Sequence, residues 1–270
     1  MKTAIIIPAR YGSTRLPGKP LVLIAGQTML SRVAKIAKAA AGNDTDIRCF
    51  VATDDERIGR HADEIGIPWV MTSVKCRTGT DRAEEAVRQL DFLPDFVVNL
   101  QGDAPLTPPD FIRAMIDAYA ADPCDLVTPV TQMSWEQLDR LRDSKKMTPF
   151  SGTTALFDSQ TGRAFWFSKN IIPALRQEKD LRDKGPVSPV WRHIGLYGYS
   201  RPMLAKFGSL PESTYERVEG LEQLRILENG YTIRCVPVDY NGRANISGVD
   251  SPEDIARTEA LIVQHGELVR

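Results

Sequence analysis

Short apolar runs alternate with amphipathic helical patterns through the first half of the chain, and this alternation most constrains the fold. Runs typical of buried strands lie at residues 4–7, 47–52 and 96–100. After Thr28, whose hydroxyl suits a helix N-cap, apolar residues recur at helical spacing. Strands that alternate with helices form βαβ units with parallel strands. The sequence therefore predicts an α/β fold built on a mainly parallel sheet flanked by helices.

The composition limits the class of protein. A chain of 270 residues can form one large α/β domain, or one domain with a substantial lobe. A net charge of −1 indicates no general nucleic-acid or membrane surface. Four scattered cysteines without a C-x-x-C pair indicate reduced thiols rather than a zinc site. No apolar run approaches ~20 residues and no signal peptide is evident, so we expect a cytoplasmic protein.

The loop after the first strand concentrates positive charge and glycine. We expect Pro8 to end the strand, because proline has no amide hydrogen to donate to a neighbouring strand. Ligands of open α/β sheets bind just outside the carboxyl ends of the strands, and arginine, lysine and glycine suit phosphate oxygens. The spacing is not that of a Walker A loop, but the ordered pattern favours a polyphosphate site over a solvated basic turn. The cations and glycines are Arg10, Gly12, Arg15, Gly18 and Lys19.

Residues 7–21, I-P-A-R-Y-G-S-T-R-L-P-G-K-P-L, resemble the signature loop of the sugar-acid cytidylyltransferases. The likeness is closest to the 3-deoxy-D-manno-octulosonate (Kdo) cytidylyltransferases, and matching segments recur to about residue 256. It implies a Rossmann-like fold of the nucleotide-diphospho-sugar transferase type, with a smaller sugar-binding and dimerisation lobe. In that family the loop wraps the phosphates of CTP. The resemblance therefore implies nucleotide contacts for Arg10, Gly12, Ser13, Arg15 and Lys19.

Asp103 comes just after an apolar strand, at the same end of the expected sheet as the loop that contains Arg10, Arg15 and Lys19, which we call the phosphate loop. Magnesium takes one or two protein carboxylates, whereas a lone aspartate after a strand is more often a turn former. Residues 101–105 resemble the family motif Q-G-D-x-P, which favours Mg²⁺ as the cofactor. Residues 249–254 resemble the motif V-D-T-P-E-D, with Ser251 for threonine, and imply Asp250 as the second ligand. Ala104 is a departure, since the family usually has Glu or Gln there.

The segment T-G-T-D-R at residues 78–82 follows the third predicted strand, at 68–71. We expect Thr80 to cap the next helix, because its hydroxyl suits an N-cap. The segment also resembles the family's S-G-T-x-R, which helps to hold the cytosine ring and the nucleotide. The resemblance implies nucleotide contacts for Thr78, Gly79, Arg82 and Asp103.

Two further matches imply a pocket for the sugar acid. Residues 192–199, R-H-I-G-L-Y-G-Y, are expected to form one strand and resemble the family's R-H-x-G-x-Y-x-Y, which lines that pocket. Residues 218–227 are expected to form one helix and contain L-E-Q-L-R, which holds sugar hydroxyls in the family. A satisfied core histidine and a solvated helix face are the alternatives, and we expect the latter for Arg225. The sugar-binding residues implied are Gln101, Lys169, His193, Tyr197, Glu222 and Gln223.

We expect a single α/β domain over residues 1–270 that has two parts. A nucleotide-binding core covers about 1–130 and 233–270, and a sugar-binding and dimerisation part covers about 131–232. The likeness is poorest over 131–162, and Lys169 replaces the arginine of the family's Y-F-S-R. Both departures are compatible with a changed choice of acceptor, and a divergent surface segment is the commoner explanation for a poorly matched region such as 131–162. Residues 176–189 are charged and contain Gly185 and Pro186, which indicates a mobile surface loop or a lid.

The resemblance implies transfer of CMP from CTP to the anomeric hydroxyl of Kdo, with release of pyrophosphate, for lipopolysaccharide biosynthesis. This chemistry needs no protein nucleophile, and the sequence has no G-x-S-x-G. Positioning and charge neutralisation would supply catalysis. The partners implied are CTP and a 2-keto-3-deoxy sugar acid, in a homodimer. Two alternatives are the same transfer to another acid sugar, 8-amino-Kdo or a nonulosonic acid, and a non-catalytic nucleotide-binding protein. The catalytic residues implied are Arg10, Arg15, Lys19, Asp103 and Asp250.

Overall fold

One mixed β-sheet runs through the chain, with a second, two-stranded sheet beside it. The computed structural model describes residues 1–12, 15–243 and 248–269. The strands described are β1 (Thr3–Ala9), β2 (Leu23–Ile24), β3 (Gln27–Thr28), β4 (Ile47–Thr53), β5 (Trp69–Met71), β6 (Phe96–Asn99), β7 (Leu126–Ser134), β8 (Thr154–Phe157), β9 (Ala164–Ser168), β10 (Val187–His193), β11 (Tyr197–Ser200) and β12 (Ile233–Pro237).

The helices pack on both faces of this sheet. Those described are α1 (Met29–Ala41), α2 (Glu56–Glu64), α3 (Gly79–Arg88), α4 (Pro109–Ala121), α5 (Trp135–Met147), α6 (Glu178–Arg182), α7 (Arg201–Phe207), α8 (Thr214–Glu219), α9 (Leu224–Glu228) and α10 (Pro252–His265). A short 3-10 turn covers Lys19–Leu21. Among these helices, none is long and apolar enough to cross a bilayer.

The strand order of the large sheet is β5-β4-β1-β6-β11-β7-β10-β8-β9, and β12 pairs with β7. The strands β5, β4, β1 and β6 are parallel, as is the β7–β12 pair. The strands from β8 to β11 pair antiparallel with their neighbours. The predicted α/β class is confirmed. The division into a nucleotide-binding core and a sugar-binding part stays a prediction.

The strand β1 organises the core because both of its faces are buried. Ile5 and Ile7 pack into one hydrophobic cluster with α1 and α4, and Ala4 and Ile6 pack into the other with α3 and α7. The expectation that Pro8 ends this strand is wrong, since β1 continues to Ala9 and Pro8 stands opposite Ala52 of β4. Pairing with β6 stops at Ile6, so Pro8 lies where β1 has one neighbouring strand only.

Two elements expected in one piece are divided. The residues 192–199 belong to two strands, because the chain leaves β10 after His193, turns with an Ile194 carbonyl to Leu196 amide hydrogen bond, and enters β11. The residues 218–227 cover the end of α8, a connection at 220–223 and the start of α9. The helix α8 ends where Gly220 takes a left-handed conformation with φ of 62°. Arg225 is not on a solvated face, since its guanidinium binds the carboxylate of Glu216 at 2.6 Å.

The segment 176–189 is more ordered than predicted. It contains α6 and the first residues of β10, so the expectation of a surface loop is wrong for these residues. Glu178 of α6 accepts hydrogen bonds of 2.7 Å from both terminal nitrogens of Arg142 on α5. Arg182 binds Asp139 at 2.6 Å and lies over the ring of Trp135. The two helices are therefore tied together by charge pairs and a cation–π contact.

Candidate active site

A cavity of about 430 Å³ opens at the carboxyl ends of β1 and β6. Its walls come from the loop after β1, the start of α3, the turn after β6 and the residues before α10. These segments are far apart in sequence and meet because parallel strands place their carboxyl ends at one edge of a sheet. The sequence-predicted site residues that line the cavity are Arg10, Arg15, Lys19, Thr78, Gly79, Arg82, Gln101, Asp103 and Asp250.

The loop after β1 is held by contacts of its own. The amide of Gly18 donates to the carbonyl of Tyr11 at 3.1 Å, and Gly18 has a φ of 67°, which favours glycine. Arg57 lies over the Tyr11 ring. Arg10 is exposed and has no hydrogen bond or ion pair with any described residue, so its guanidinium is free for a ligand. Gly12 is also exposed, while the predicted contact at Ser13 lies outside the described residues.

Two carboxylates converge on one cation in the cavity. The Nζ atom of Lys19 lies 2.6 Å from Oδ2 of Asp103 and 2.8 Å from Oδ1 of Asp250. Arg15 reaches the second oxygen of Asp250 at 3.2 Å. The carboxylates thus lie within ion-pair distance of one ammonium although they are far apart in sequence. Within the residues described, no group of three or more His, Cys, Asp and Glu could hold a metal.

The start of α3 forms the opposite wall. Thr78 is the N-cap, since its hydroxyl accepts from the amide of Asp81 at 3.0 Å, so the expectation that Thr80 caps this helix is wrong. Thr80 lies within the first turn of α3 and is buried. Arg82 lines the cavity but is already paired, with Asp54 at 2.8 Å and with the Thr72 hydroxyl at 2.5 Å. Its side chain is 4% exposed, so it shapes this wall as half of a buried ion pair.

Most predicted sugar-binding residues form a second group behind this wall. The rings of His193 and Tyr197 are 5.6 Å apart, and the Tyr197 hydroxyl donates to Oε1 of Gln223 at 3.2 Å. Burial lowers the pKa of His193 to about 3, helped by the positive charge of Lys169, so the ring is neutral at physiological pH. The backbone amide of Lys169 is held by Glu219 at 2.7 Å.

Unsatisfied polar atoms occur in this second group and on the neighbouring strand β6. Buried side-chain atoms without a partner include Oε1 of Glu222, Nε2 of Gln223 and Oδ1 of Asn99. Burial raises the pKa of the Glu222 carboxyl, although the Thr80 hydroxyl offsets part of the rise. Buried polar groups are nearly always hydrogen-bonded, so these atoms are available to a polar ligand or to water.

Asn99 and Thr80 connect the two groups, and the sequence-based prediction missed both as site residues. The Asn99 amide nitrogen donates to the Thr80 hydroxyl at 3.4 Å, and Asn99 stands directly opposite Tyr197 in the β6–β11 pairing. A Cβ atom on Gly79 would lie 3.7 Å from the Asn99 amide and 3.5 Å from Oε1 of Gln101. The signal that could have found Asn99 is its position as a polar residue at the end of an apolar strand.

Comparisons with known proteins agree with this architecture. A family model described as cytidylyltransferase matches residues 4–233. The 3-deoxy-manno-octulosonate cytidylyltransferase of Maricaulis maris (strain MCS10) is 47% identical over 270 residues, which cover 100% of both chains. The enzyme of that description from Desulfatibacillum aliphaticivorans is 43% identical over 263 residues, covering 97% of this chain and 99% of the relative.

A solved structure extends the comparison to the fold. A CMP:2-keto-3-deoxy-manno-octonic acid synthetase complexed with CTP superposes with a TM-score of 0.81 and 31% identity. The match covers 98% of this chain and 99% of that one, which confirms the expected nucleotide-sugar transferase type of fold. Since the likeness in sequence and in fold extends over essentially the full length of both partners, this chain belongs to the cytidylyltransferase family and, within it, to the 3-deoxy-manno-octulosonate cytidylyltransferases.

Proposed function

We propose that this protein transfers CMP from CTP to the anomeric hydroxyl of Kdo, for lipopolysaccharide biosynthesis. The hydroxyl oxygen attacks the α-phosphorus, the bond from that phosphorus to the β-phosphate oxygen breaks, and pyrophosphate leaves while the hydroxyl proton is released. The observation that carries the proposal is the convergence of the three cations of the loop after β1 with two carboxylates in one cavity, in a chain 47% identical to a Kdo cytidylyltransferase. No protein nucleophile takes part.

The phosphate loop provides the charge that this transfer requires. Arg10, which is free of other partners in the described structure, binds phosphate oxygens with its planar guanidinium. Arg15 and Lys19 neutralise the charge that develops on the departing pyrophosphate, and Gly12 lets the backbone approach the oxygens. The start of α3, with Thr78 and Gly79, holds the nucleotide, and Arg82 keeps that wall in place through Asp54.

A divalent cation fits between Asp103 and Asp250. Their oxygens already converge on one positive charge, the Lys19 ammonium, and Mg²⁺ needs only one or two protein carboxylates beside water and phosphate oxygens. When bound, Mg²⁺ would neutralise phosphate charge and lower the pKa of the attacking hydroxyl. We therefore propose Mg²⁺ as the cofactor, with Asp103 and Asp250 as its protein ligands.

The group behind α3 is proposed to hold the sugar acid. Glu222 and Gln223 present an unpaired acceptor and an unpaired donor, which suit hydroxyl groups. Asn99 adds a second acceptor that the sequence-based prediction did not include. The remaining residues proposed to contact the acceptor are Gln101, Lys169, His193 and Tyr197.

The first test is pyrophosphate release from CTP and Mg²⁺, with Kdo, 8-amino-Kdo and sialic acid assayed in parallel. We expect release with Kdo as the best acceptor. Asp103→Asn and Asp250→Asn should each lower turnover about 100-fold or more, because a neutral amide cannot replace a carboxylate on the cation. The matched control is Asp110→Asn, an exposed residue of α4. Near wild-type turnover in both active-site variants would remove the metal assignment, and release only with another acid would change the acceptor.

We also infer a cytoplasmic homodimer that associates through residues 131–232. Large exposed apolar side chains in this part support the inference. Among them are Phe165 on the edge strand β9, and Tyr215 and Val218 on α8. The four cysteines are free thiols, as a reducing compartment would keep them. Sedimentation equilibrium should give twice the chain mass, and Phe165→Glu should shift it towards the monomer. A monomeric wild type would contradict the inference.

A further inference from the structure

Thr128 contacts the predicted sugar-binding group from the centre of the sheet. It lies on β7 and is fully buried. Its Oγ1 atom is 2.8 Å from Nε2 of His193, 2.8 Å from the carbonyl oxygen of Leu196 and 3.4 Å from that of Ile194. One hydroxyl therefore meets one ring nitrogen and two carbonyl oxygens.

Counting protons in this contact fixes the state of the histidine ring. A threonine hydroxyl has one proton to donate, and a carbonyl oxygen can only accept. The 2.8 Å contact to the carbonyl of Leu196 therefore uses the hydroxyl proton. The equally short contact to Nε2 of His193 then requires the proton on the ring nitrogen. His193 donates from Nε2 to Thr128.

The other ring nitrogen is left as an acceptor. The deep burial of the ring and the nearby Lys169 charge oppose a second proton, so Nδ1 carries a lone pair. Nδ1 has no hydrogen-bond partner within the described residues. The ring lies between Phe167 and Tyr197, which fix its plane at centroid distances of 5.0 and 5.6 Å. A 180° flip of the ring would put a carbon atom, Cε1, in the place of Nε2 and break the bond to Thr128.

We propose that Thr128 is a positioning residue that fixes His193 in the Nε2–H tautomer, so that Nδ1 accepts a hydrogen bond from a hydroxyl of the sugar acid. This rests on the proposed function, in which His193 contacts that substrate. A bare lone pair attracts a hydroxyl and repels a carboxylate or carbonyl oxygen. The tautomer thus helps to orient the acceptor with its hydroxylated chain, rather than its carboxylate, towards His193.

The tautomer can be read directly by ¹⁵N NMR of histidine-labelled protein, because the chain has only three histidines. His193→Asn identifies the signals of His193 by their loss. We expect a protonated-type signal for Nε2 and an unprotonated-type signal for Nδ1. The Nδ1 signal should move when Kdo is added together with CTP in the presence of EDTA, which removes divalent cations and so prevents turnover. An Nδ1–H tautomer, or an Nδ1 signal that Kdo leaves in place, would overturn the proposal.

Two substitutions separate positioning from packing. Thr128→Ser keeps the hydroxyl, so the tautomer of His193 and the KM for Kdo should stay as in the wild type. Thr128→Val keeps the shape of the side chain but removes the hydroxyl, so His193 should no longer be held in the Nε2–H tautomer. The KM for Kdo should then rise about tenfold while the KM for CTP stays unchanged. Equal changes in both KM values would indicate a structural role only and would contradict the proposal. Absence of pyrophosphate release in the wild type would instead reject the proposed function, and the NMR result would still decide the tautomer.

Discussion

The ammonium group of Lys19 lies 2.6 Å from the carboxylate of Asp103, and this ion pair joins the phosphate loop to the end of β6. The same ammonium is 2.8 Å from Asp250, and the Lys19 side chain is only 13% exposed. Two carboxylates that face each other repel, so without a divalent cation Lys19 keeps them together. A divalent cation held by Asp103 and Asp250 would neutralise the two carboxylates in its place, and the Lys19 ammonium would then be available to the phosphates of CTP.

Substitution of Lys19 should therefore affect metal binding and turnover in opposite directions. In Lys19→Met the ammonium no longer competes for the carboxylates, so Mn²⁺ should bind the nucleotide-free protein several-fold more tightly, as measured by electron paramagnetic resonance. Turnover should fall about 100-fold or more, because a preorganised charge on the triphosphate is lost. The control is Lys2→Met, an exposed lysine. Unchanged or weaker Mn²⁺ binding would show that Lys19 does not occupy the place of the cation.

The buried carboxylate of Glu222 should lower stability as the pH rises. Because burial raises its pKa, the folded state holds this proton more tightly than the unfolded state. Its contribution to the free energy of unfolding is complete below pH 4.5, the ordinary pKa of a glutamate, and is lost as the pH rises through the folded-state pKa. Glu222→Gln removes this dependence, so the variant should gain stability relative to wild type between pH 4.5 and pH 8 in urea titrations.

The same variant should bind the sugar acid less well. Replacement of the carboxyl group by an amide leaves one oxygen acceptor in place of two, which is expected to raise the KM for Kdo about tenfold or more, with little change for CTP. Glu212→Gln, at an exposed glutamate, is the control and should give the same stability difference at both ends of the pH range. If Glu222→Gln behaved like this control, Glu222 would be neither strained by burial nor a substrate ligand.

The proposed phosphate side of the site could be predicted because its residues stand in short contiguous motifs that follow buried strands. Arg10 and Lys19 of the first motif and Asp103 of the motif at residues 101–105 line one cavity, as those motifs implied. The sugar side depends on burial and on strand pairing, which the sequence does not display. Asn99 was missed because its unpaired oxygen exists only once β6 and β11 lie side by side. Arg82 was expected to reach the nucleotide, and its pairing with Asp54 appears only in three dimensions.

Local signals also misled where a neighbouring strand or a single glycine decided the outcome. Pro8 continues β1 because only β4 pairs with the strand at that position. The low strand propensity of proline does not show how many neighbouring strands it will meet. Gly220 interrupts an otherwise helical pattern by taking a left-handed conformation, which frees Arg225 to turn back onto Glu216.

Gly102 should tolerate no side chain, because a Cβ atom there would overlap the carbonyl oxygen of Pro8. In Gly102→Ala the turn after β6 must move away from β1, and Asp103, the next residue of that turn, should move with it. We expect a loss of about 1–3 kcal/mol in the free energy of unfolding and a marked fall in turnover. The control is Gly208→Ala, where a Cβ atom meets nothing within 4 Å. Equal stability of the two variants would mean that the contact between Gly102 and Pro8 is not tight.

Glu178 should hold α6 against α5. Hydrogen bonds from Arg142 and Arg182 lower the pKa of its carboxyl to about 2, so the ionised form stabilises the folded state. This contribution is present above pH 4.5, the ordinary pKa of a glutamate, and is lost as the pH falls towards 2. Glu178→Gln should speed tryptic cleavage between residues 176 and 184 a few-fold at neutral pH, consistent with a surface network worth about 0.5–1 kcal/mol.

The matched control for this segment is Glu136→Gln, which removes the exposed ion pair with Arg140 on α5. That pair is 65–76% exposed and should contribute little, so cleavage should stay at the wild-type rate. The stability difference between wild type and Glu178→Gln should also shrink as the pH is lowered from 5 to 3 in urea titrations, because the wild-type carboxylate then takes up its proton. A difference independent of pH, or equal cleavage of both variants, would show that Glu178 does not tie α6 to α5.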